Sequence, residues 1–450
     1  MPNSLDTNLV LRPEIARSLI RSLTRGTAIP AGVRFIHVGH SDWLAAQEEL
    51  LHELAEDGHA DTKFVRGAYG AGKSHFLSVV QDHARDRHWM TCHVECKIDG
   101  VQIDRFETLY PQIATKLTAA EFLTSSTTKQ NDNPIRSLLD TWTPELLKKA
   151  GIRLDGLKRP FDAEERAYNE LNKGLLRSNL PPEFSKALSV YVRATLSNDS
   201  DTQANVASWL QGSEGRVKLP EHYLYKPIIG SPRASTLFEL KPIGKGTSRE
   251  AMRGLLWLIK SAGFQGLVLC IDEIEEIAKL GNRRRQDQAL QALRDFVDNA
   301  GSEVGFHHFC MFLAATPEMF ENEGYFPRYD ALATRIQPVG DEINWRAPVI
   351  NLDRTPLRLS ELQEMASKIR AVHQVAYGSQ ANMPSDETLR GLVDEVHRSK
   401  FRIAKPRLLA RLLVDELERA RQLNRPSAHP SDPAKLVQRT AEVIAKEADA

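Results

Sequence analysis

The residues with the clearest chemical potential lie in one glycine-rich stretch, FVRGAYGAGKSHFL at residues 64–77. Its spacing matches G-x-x-x-x-G-K-[ST], in which glycines let backbone N–H groups converge on a phosphate and a helix start adds its positive dipole end. The lysine would reach the β- and γ-phosphate oxygens, and the serine hydroxyl would coordinate Mg²⁺. The pattern predicts a phosphate-binding loop made of Gly67, Ala68, Tyr69, Gly70, Ala71, Gly72, Lys73, Ser74 and His75.

The same spacing arises by chance in about one of a hundred chains of this length, so the match needs structural context. A functional loop must follow a strand and open a helix. The run KFVR at 63–66 precedes the loop, and SHFLSVVQDHA at 74–84 follows it with helical spacing. This context favours a functional loop over a chance match.

A second signature ends the apolar run GLVLCID at 266–272. Asp272 would hold Mg²⁺ through its waters, since that ion keeps much of its hydration shell, and Glu273 would orient or deprotonate an attacking water. The alternative is an ordinary strand followed by an acidic helix start. The upstream loop favours the chemical roles for these two acids, whereas we assign Glu275 and Glu276 to the helix start.

Two polar positions follow the apolar run HHFCMFLAAT at 307–316. The hydroxyl of Thr316 would hold the attacking water near the γ-phosphate, or the residue would simply end a strand before Pro317. Arg335 would reach a neighbouring subunit's nucleotide and stabilise charge in the transition state. Arg328 competes for that role, and a surface salt bridge is the alternative for both arginines.

Arg407 lies at the start of a predicted helix in AKPRLLARLLVDELERA. Pro406 pre-sets the first helical turn, where a cation is unfavourable for the helix dipole. A phosphate partner would explain this arginine, as would exposure to solvent. We predict that Arg407 lies on a lid that covers the nucleotide.

Apolar runs alternate with helical periodicity along the chain, which is typical of a parallel sheet covered on both faces. The expected strands are 63–66, 89–96, 266–272, 307–316 and 347–353. The expected helices are 12–25, which stops at Gly26, and 42–56, 73–85, 104–118, 248–262, 285–299, 357–376, 385–397, 405–422 and 433–447.

Between these elements lies a polar, loop-rich segment with short helical pieces, which includes TSSTTKQNDNP and LYKPIIGSPRAS. After residue 356 no strand signal remains. The predicted organisation is residues 1–120, N-terminal helices and the first half of an α/β core; 121–245, an insertion of helices and loops; 246–355, the second half of the core; and 356–450, a C-terminal helical lid domain.

Composition limits the partners. The 450 residues include 59 Lys and Arg and 59 Asp and Glu, so no overall field attracts DNA or an acidic membrane. A nucleic-acid contact would need a local patch, and NRRRQ at 282–286 is the candidate, with a solvated turn as the alternative. Without a long apolar run or a signal-peptide pattern, we expect a cytoplasmic protein with no membrane partner.

The cysteines, Cys92, Cys96, Cys270 and Cys310, lie in or beside strand-like apolar runs. Free cysteine in such runs behaves as a small buried hydrophobe. A metal held by Cys92, His93 and Cys96 is the alternative, but neighbouring positions on one strand point to opposite faces. We therefore expect core packing.

Taken together, the loop, the acid pair, the strand-end threonine, the pre-strand arginine and the Pro-Arg lid helix resemble the AAA+ superfamily of ATPases. Longer strings resemble the BrxC/BrxD group of ATP-binding proteins in bacteriophage-exclusion (BREX) systems, and the length is similar to that of BrxD. The strings, spread over roughly residues 12 to 420, are IRSLTRGTAIP, KFVRGAYGAGKSHFL, VASWLQGSEG, GFQGLVLCIDEIEEI and FLAATPEMFENEGYFPRYDALATRI.

The resemblance implies an α/β, AAA+-like P-loop NTPase fold, with a parallel sheet sandwiched by helices, a large inserted segment and a C-terminal helical lid. It also implies ATP and Mg²⁺ as cofactors, a homo-oligomer with ATP at subunit boundaries, helicase-like and methyltransferase-like partners, and double-stranded DNA as a target. The family roles fall on Lys73 and Ser74 (phosphate binding), Asp272 (Mg²⁺), Glu273 (water activation), Thr316 (first sensor), Arg335 (arginine finger) and Arg407 (second sensor).

Two functional hypotheses follow. The first is an active ATPase whose cycle drives an assembly on DNA, which the complete catalytic set favours. The second is a nucleotide-gated scaffold with negligible turnover, which zero net charge and the large insertion favour, since Asp272 lies 199 positions after Lys73. Little sequence follows the lid, which argues against an appended winged-helix domain for sequence-specific DNA reading.

Overall fold

A parallel sheet forms the centre of the computed structural model. The strands are β1 (Ala60–Arg66), β2 (Met90–Glu95), β3 (Val217–Lys218), β4 (Glu239–Leu240), β5 (Leu267–Asp272), β6 (Phe309–Ala315) and β7 (Val349–Asn351). Five of them pair in parallel in the order β2-β5-β6-β1-β7, and β3 pairs with β4 separately and antiparallel. The predicted α/β fold with a parallel sheet is confirmed.

The structure describes residues 11–25, 32–120, 122, 133–153, 162–178, 180–213, 215–220, 223, 239–298, 305–337, 340–378, 383–401, 403–423 and 433–448. Gly26, residues 124–132 of the polar stretch TSSTTKQNDNP and the whole of LYKPIIGSPRAS at 224–235 lie outside these ranges.

The helices cover most of the rest of the described chain. They are α1 (Pro13–Arg25), α2 (Ser41–Asp57), α3 (Lys73–Asp86), α4 (Cys96–Asp99), α5 (Phe106–Thr115), α6 (Pro134–Lys149), α7 (Ala163–Ser178), α8 (Pro182–Ser197), α9 (Ser200–Leu210), α10 (Ser248–Ser261), α11 (Arg283–Asp298), α12 (Pro317–Glu321), α13 (Asp330–Ile336), α14 (Leu359–Tyr377), α15 (Asp386–Arg398), α16 (Lys405–Leu423) and α17 (Pro433–Ala448). Short 3₁₀ helices cover Val33–Phe35, Ile274–Lys279, Phe326–Arg328 and Leu352–Arg354. Each helix and strand predicted from periodicity occurs, with its ends within three residues of the prediction.

The sheet is buried on both faces. All residues of β5 and β6 are buried, which is why these strands are continuous apolar runs and not alternating ones. Neighbouring residues of β1 point to opposite sides, so Phe64 joins one hydrophobic core and Val65 the other. Helices therefore cover each face, as expected for a sandwiched parallel sheet.

The inserted segment is more regular than its polar composition indicates. Its described residues include the four helices α6 to α9, each of 11 to 16 residues, where the sequence predicted short helical pieces. Their apolar sides, including Trp142 and Tyr191, join the core that also contains α5, α10 and α11. The hydroxyl of Tyr110 in α5 donates to the Leu210 carbonyl at 2.7 Å, so the segment packs on the sheet domain.

The opposite face carries the elements that surround the glycine-rich loop. Helices α1, α2 and α3 share the second core with the C-terminal helices α14 to α17, through side chains such as Leu19, Phe76, Leu362 and Leu408. The C-terminal helices and the helix that follows the loop therefore lie on the same side of the sheet.

The cysteines pack as the sequence predicts. All four are free and buried, and burial raises the pKa of the Cys96 thiol to about 12. His93, the other residue of the alternative metal set, makes a hydrogen bond of 3.1 Å between its Nδ1 and the Gln81 Nε2. Among the described residues, no helix has the length and apolar character needed to cross a bilayer.

Candidate functional site

Chemically active residues collect at one edge of the sheet because parallel strands end on the same side. Arg66, the last residue of β1, pairs in register with Ala315 and Asn351, and Glu95 pairs with Asp272. The glycine-rich loop, the two strand-end acids and Thr316 therefore all follow carboxyl ends that meet at this edge, where open α/β sheets bind ligands.

The loop has the backbone geometry that its glycines predict. Gly70 and Gly72 have φ angles of +80° and +102°, which favour glycine because a Cβ atom is strained there. The Gly67 N–H donates to the Ala315 carbonyl at 3.4 Å, and the Ala68 N–H donates to both carboxylate oxygens of Asp353 at 3.1 Å. The loop is thus fastened to the ends of β6 and β7.

Lys73 opens α3 and lies beneath the loop. Its side chain is buried, and its Nζ donates to the Gly67 carbonyl at 2.9 Å and to the Ala68 carbonyl at 3.4 Å. An ammonium group is a compact cation with three donors. Its position at the helix start allows it to serve phosphate oxygens bound by the same loop.

Ser74 and Asp272 meet directly. The Ser74 hydroxyl donates to Asp272 Oδ2 at 2.5 Å, and the Glu273 N–H donates to Asp272 Oδ1 at 2.9 Å. Asp272 is only 4% exposed. A hydroxyl and a buried carboxylate supply the hard oxygen ligands that Mg²⁺ takes together with phosphates and water, so these two residues fit that ion.

Glu273 has an unusual backbone. Its φ angle is +59°, which is uncommon for a residue with a side chain and concentrates at functional sites. The residue lines the cleft beside the loop, and its Oε2 is buried without a hydrogen-bond partner among the described residues. Burial, and then the charge of Asp272, raises the pKa of Glu273.

Two further acids line the cleft: Glu95, to which the sequence assigned no role, and Glu275, which it assigned to a helix start. Glu95 ends β2 beside Asp272, and burial followed by the charges of Asp272 and Glu273 raises its pKa. Glu275 also faces the cleft, burial raises its pKa, and its Oε2 is buried without a described partner. Glu275 and Glu276 both lie in the first turn of the 3₁₀ helix Ile274–Lys279, as predicted, and Glu276 pairs with Lys279 at 2.5 Å. The detectable signal for Glu95 was its place at the end of the apolar run WMTCHVEC.

The segment between α1 and α2 forms a second wall of the cleft. His37 Nδ1 lies 3.1 Å from Nε2 of His75, the residue after Ser74, and Lys368 in α14 donates to the His37 carbonyl at 2.7 Å. Burial lowers the pKa of His37 to about 3 and that of His75 to about 4. Both rings are therefore neutral near pH 7, so one donates and the other accepts.

The cleft has a volume of about 400 Å³ and both polar and apolar lining residues. The loop and the acids supply the polar lining. The apolar lining residues are Leu23, Ile36, Val38, Leu357, Met365, Ala410 and Ile444. Ligand sites combine such apolar surface with a few placed polar groups, and this lining suits a ligand with an apolar part and a charged part.

Arg407, the arginine predicted to lie on a lid, lines the cleft. Its guanidinium carbon is 4.6 Å from the centroid of the Tyr69 ring. Tyr69 belongs to the glycine-rich loop, so helix α16 contacts the loop directly. The action of Arg407 on a phosphate stays a prediction.

The remaining predicted residues lie outside the cleft wall. Thr316 directly follows β6, whose last residue Ala315 pairs with Arg66, but it does not line the cleft. Arg335 Nη2 lies 3.0 Å from Asp298 Oδ2, and Arg328 Nη2 lies 2.6 Å from Asp287 Oδ1. Within one chain, both arginines form the salt bridges that were the alternative interpretation, and their action on another subunit stays a prediction.

The basic run at 282–286 divides into two parts. Arg285 donates to both carboxylate oxygens of Asp104, at 2.9 and 3.1 Å, and to Gln102 Oε1 at 2.7 Å. It therefore joins the loop after α4 to the start of α11. Arg283 and Arg284 are exposed, so only these two are available for an external anion.

Comparison with known proteins identifies the family. No curated protein matches the chain. The family described as BREX system ATP-binding protein BrxC/D matches residues 11–435, which include the loop, the acids and the lid arginine. The match does not separate BrxC from BrxD. The chain therefore belongs to the BrxC/BrxD family of BREX ATP-binding proteins, and this membership implies that it binds ATP.

Proposed function

We propose that the chain hydrolyses ATP and that the cycle drives assembly or remodelling of a BREX complex on DNA. The observation that carries the proposal is the junction of Ser74 and Asp272 at the loop, with Glu273 beside them in the cleft. A site that only held a nucleotide would not need an acid with a buried, unpaired oxygen next to the metal ligands.

The loop and Lys73 would hold the phosphates. The helix start and the left-handed glycines direct backbone N–H groups at an anion, and Lys73 adds a cation from below. Ser74 and Asp272 would hold Mg²⁺, which, when bound, neutralises the charge that develops on the phosphate oxygens. The apolar lining residues of the cleft would contact the adenine base.

Glu273 would accept the proton of the attacking water. A raised pKa makes its ionised carboxylate a better proton acceptor, and the cause of that shift, burial, also limits access of bulk water. Arg407 would stabilise the charge on the transferred phosphate, because its guanidinium lies over the loop.

The experiment is the Glu273→Gln variant, measured for steady-state phosphate release and for retention of labelled ATP. We expect turnover to fall by a factor of about 10² to 10⁴ while ATP stays bound at least as tightly as in the wild type. Glu276→Gln, which changes an acid outside the cleft wall, is the matched control and should keep wild-type turnover. Equal turnover in Glu273→Gln and the wild type would rule out a role for Glu273 in activating the attacking water.

The assembly part of the proposal needs Arg335. We propose a homo-oligomer in which Arg335 leaves Asp298 and reaches ATP on a neighbouring subunit, together with helicase-like and methyltransferase-like partners. Sedimentation with and without ATP tests this. An ATP-dependent assembly that Arg335→Ala disrupts supports it, and a chain that stays monomeric in ATP rules it out.

A nucleotide-gated scaffold is the second candidate function. It is favoured by the ion pairs that hold both Arg335 and Arg328 within the chain, because an arginine committed to an internal carboxylate is less available to a transition state. This candidate predicts ATP-dependent binding of partners with fewer than about one turnover per hour, a rate far below ordinary enzyme values.

A further inference from the structure

The Arg407 side chain contacts two neighbouring residues of the glycine-rich loop, Tyr69 and Gly70. The guanidinium lies over the Tyr69 ring, with its carbon 4.6 Å from the ring centroid. The aliphatic stem lies against Gly70, where an added Cβ would come within 3.0 Å of Arg407 Cδ and 3.3 Å of its Cβ. Tyr69 therefore receives the charged head of the side chain and Gly70 leaves space for its stem.

This contact with Tyr69 and Gly70 leaves the N–H donors of Arg407 available. In the part of the chain that the structure describes, its N–H groups make no hydrogen bond and no ion pair. A guanidinium is planar, so it contacts an aromatic ring with its face while its donors point outward in the plane. The contact with the Tyr69 ring thus does not use the donors that a phosphate would need.

Tyr69 has no other evident structural task. It is 54% exposed, and within the described ranges its hydroxyl makes no hydrogen bond. Exposed aromatic rings gain little from the hydrophobic core, so the interaction with Arg407 is the contact that explains the residue. The ring, not the hydroxyl, provides that contact.

We propose that Tyr69 is a positioning residue, whose ring holds the Arg407 guanidinium over the phosphate-binding loop with its donors toward the transferred phosphate. The inference rests on the proposed function, because it assumes that Arg407 acts on ATP. It adds a role for a loop side chain, whereas the loop motif itself uses only backbone groups, the lysine and the serine.

The test compares Tyr69→Leu, which removes the ring, with Tyr69→Phe, which keeps it. We expect Tyr69→Leu to lower kcat about tenfold, with KM changed by less than about threefold, since a cation–π contact of this kind is modest. Tyr69→Phe should have wild-type values. In an Arg407→Ala background, Tyr69→Leu should have no further effect. Wild-type kcat in Tyr69→Leu, or an undiminished effect without Arg407, would overturn the inference.

A nucleotide-free readout separates this inference from the proposed function. Phenylglyoxal labelling of Arg407, followed by mass spectrometry without ATP, should be several-fold faster in Tyr69→Leu than in Tyr69→Phe or wild type. Equal labelling rates in all three proteins would refute the inference that the Tyr69 ring holds Arg407. Absence of hydrolysis by the wild type would instead refute the proposed function, and the labelling rates would still decide whether Tyr69 holds Arg407.

Discussion

The sequence predicts a phosphate partner for both Arg407 and Arg335, yet the two side chains have different surroundings. Arg407 faces the cleft, lies over Tyr69 and has no described ion pair. Arg335 lies on α13, away from the cleft wall, and shares Asp298 with Arg294, whose Nε is 2.7 Å from Asp298 Oδ2. One positive charge is available to a ligand, and the other is already balanced within the chain.

The contrast between Arg407, which has no described ion pair, and the paired Arg335 indicates that residue type and chain position alone do not decide whether an arginine is catalytic. A charge that is paired inside the chain must lose that pairing before it binds a phosphate, and the lost interaction offsets part of the gain. We therefore expect Arg407 to act on the nucleotide of its own chain. We expect Arg335 to contribute only where a nucleotide on a second subunit replaces Asp298 as its partner.

The largest effect should follow from Arg407→Ala. Removal of one preorganised donor of this kind lowers kcat by a factor of about 10² to 10³, and the loss should be the same at every protein concentration because the residue serves its own chain. Steady-state phosphate release across a dilution series checks this. Arg419→Ala, on the same helix but paired with Asp415, is the control, and a concentration-dependent loss for Arg407→Ala would contradict the comparison.

Acid should destabilise the segment around His37 and His75, beside the cleft, before it destabilises α11 and α13, which carry Asp298 and Arg335. The pKa values of His37 and His75 are about 3 and about 4 in the folded chain, and both titrate near pH 6.5 when unfolded. The unfolded chain then binds more protons as pH falls, so stability is fully present above about pH 6.5 and is lost toward pH 4. Near pH 5 the loss is on the order of 2 kcal/mol per histidine.

Urea unfolding at pH 7.5 and pH 5 measures this loss, and His75→Gln should reduce it. His52→Gln, which changes an exposed histidine, should leave the loss unchanged. Hydrogen exchange at pH 5 should increase first in residues 35–40 and α3, before α11 and α13. An equal increase of hydrogen exchange in both regions at pH 5 would contradict this difference in their acid sensitivity.

Arg335→Ala should have a smaller and conditional effect. We expect turnover to fall about tenfold at concentrations where the chain assembles, because the arginine must first leave Asp298, and to stay unchanged in the monomer. The matched variant Asp298→Asn keeps the arginine but weakens its pairing, so it should retain or raise turnover in the assembly. An equal loss in monomer and assembly would place Arg335 in a structural role alone.

The smallest effect should concern DNA. Replacing Arg283 and Arg284 together with serine should weaken double-stranded DNA binding a few-fold and reduce the salt slope by about two, one for each lost phosphate contact. Arg285 is not suitable for the test because it pairs with Asp104. Fluorescence anisotropy at several salt concentrations checks this, and an unchanged slope would assign the run to a solvated turn.

Periodicity and strand-end position were sufficient to predict the sheet, the strand and helix on either side of the loop, the place of Asp272 at the end of β5, and the helix that carries Arg407. These features depend on local spacing, which one sequence records. Glu95 was not assigned, because its role needs the knowledge that β2 lies beside β5, which strand order and not spacing decides. The contact between His37 and His75 likewise joins segments 38 positions apart.

The inserted segment was the hardest part to predict. Its helices carry apolar sides that face the core shared with α5 and α10, but polar stretches interrupt the pattern, so each helical signal is short. The stretch that the structure describes shows that tertiary packing, and not intrinsic propensity alone, stabilises such helices.

The most direct test of the central claim is a count of turnovers. Labelled ATP in large excess is incubated with the wild type and with Lys73→Ala, and released phosphate is counted per chain. We predict many phosphates per wild-type chain and almost none for Lys73→Ala, since that variant lacks the cation beneath the loop. A wild type that binds ATP and releases no more than one phosphate per chain would contradict the claim and support the scaffold.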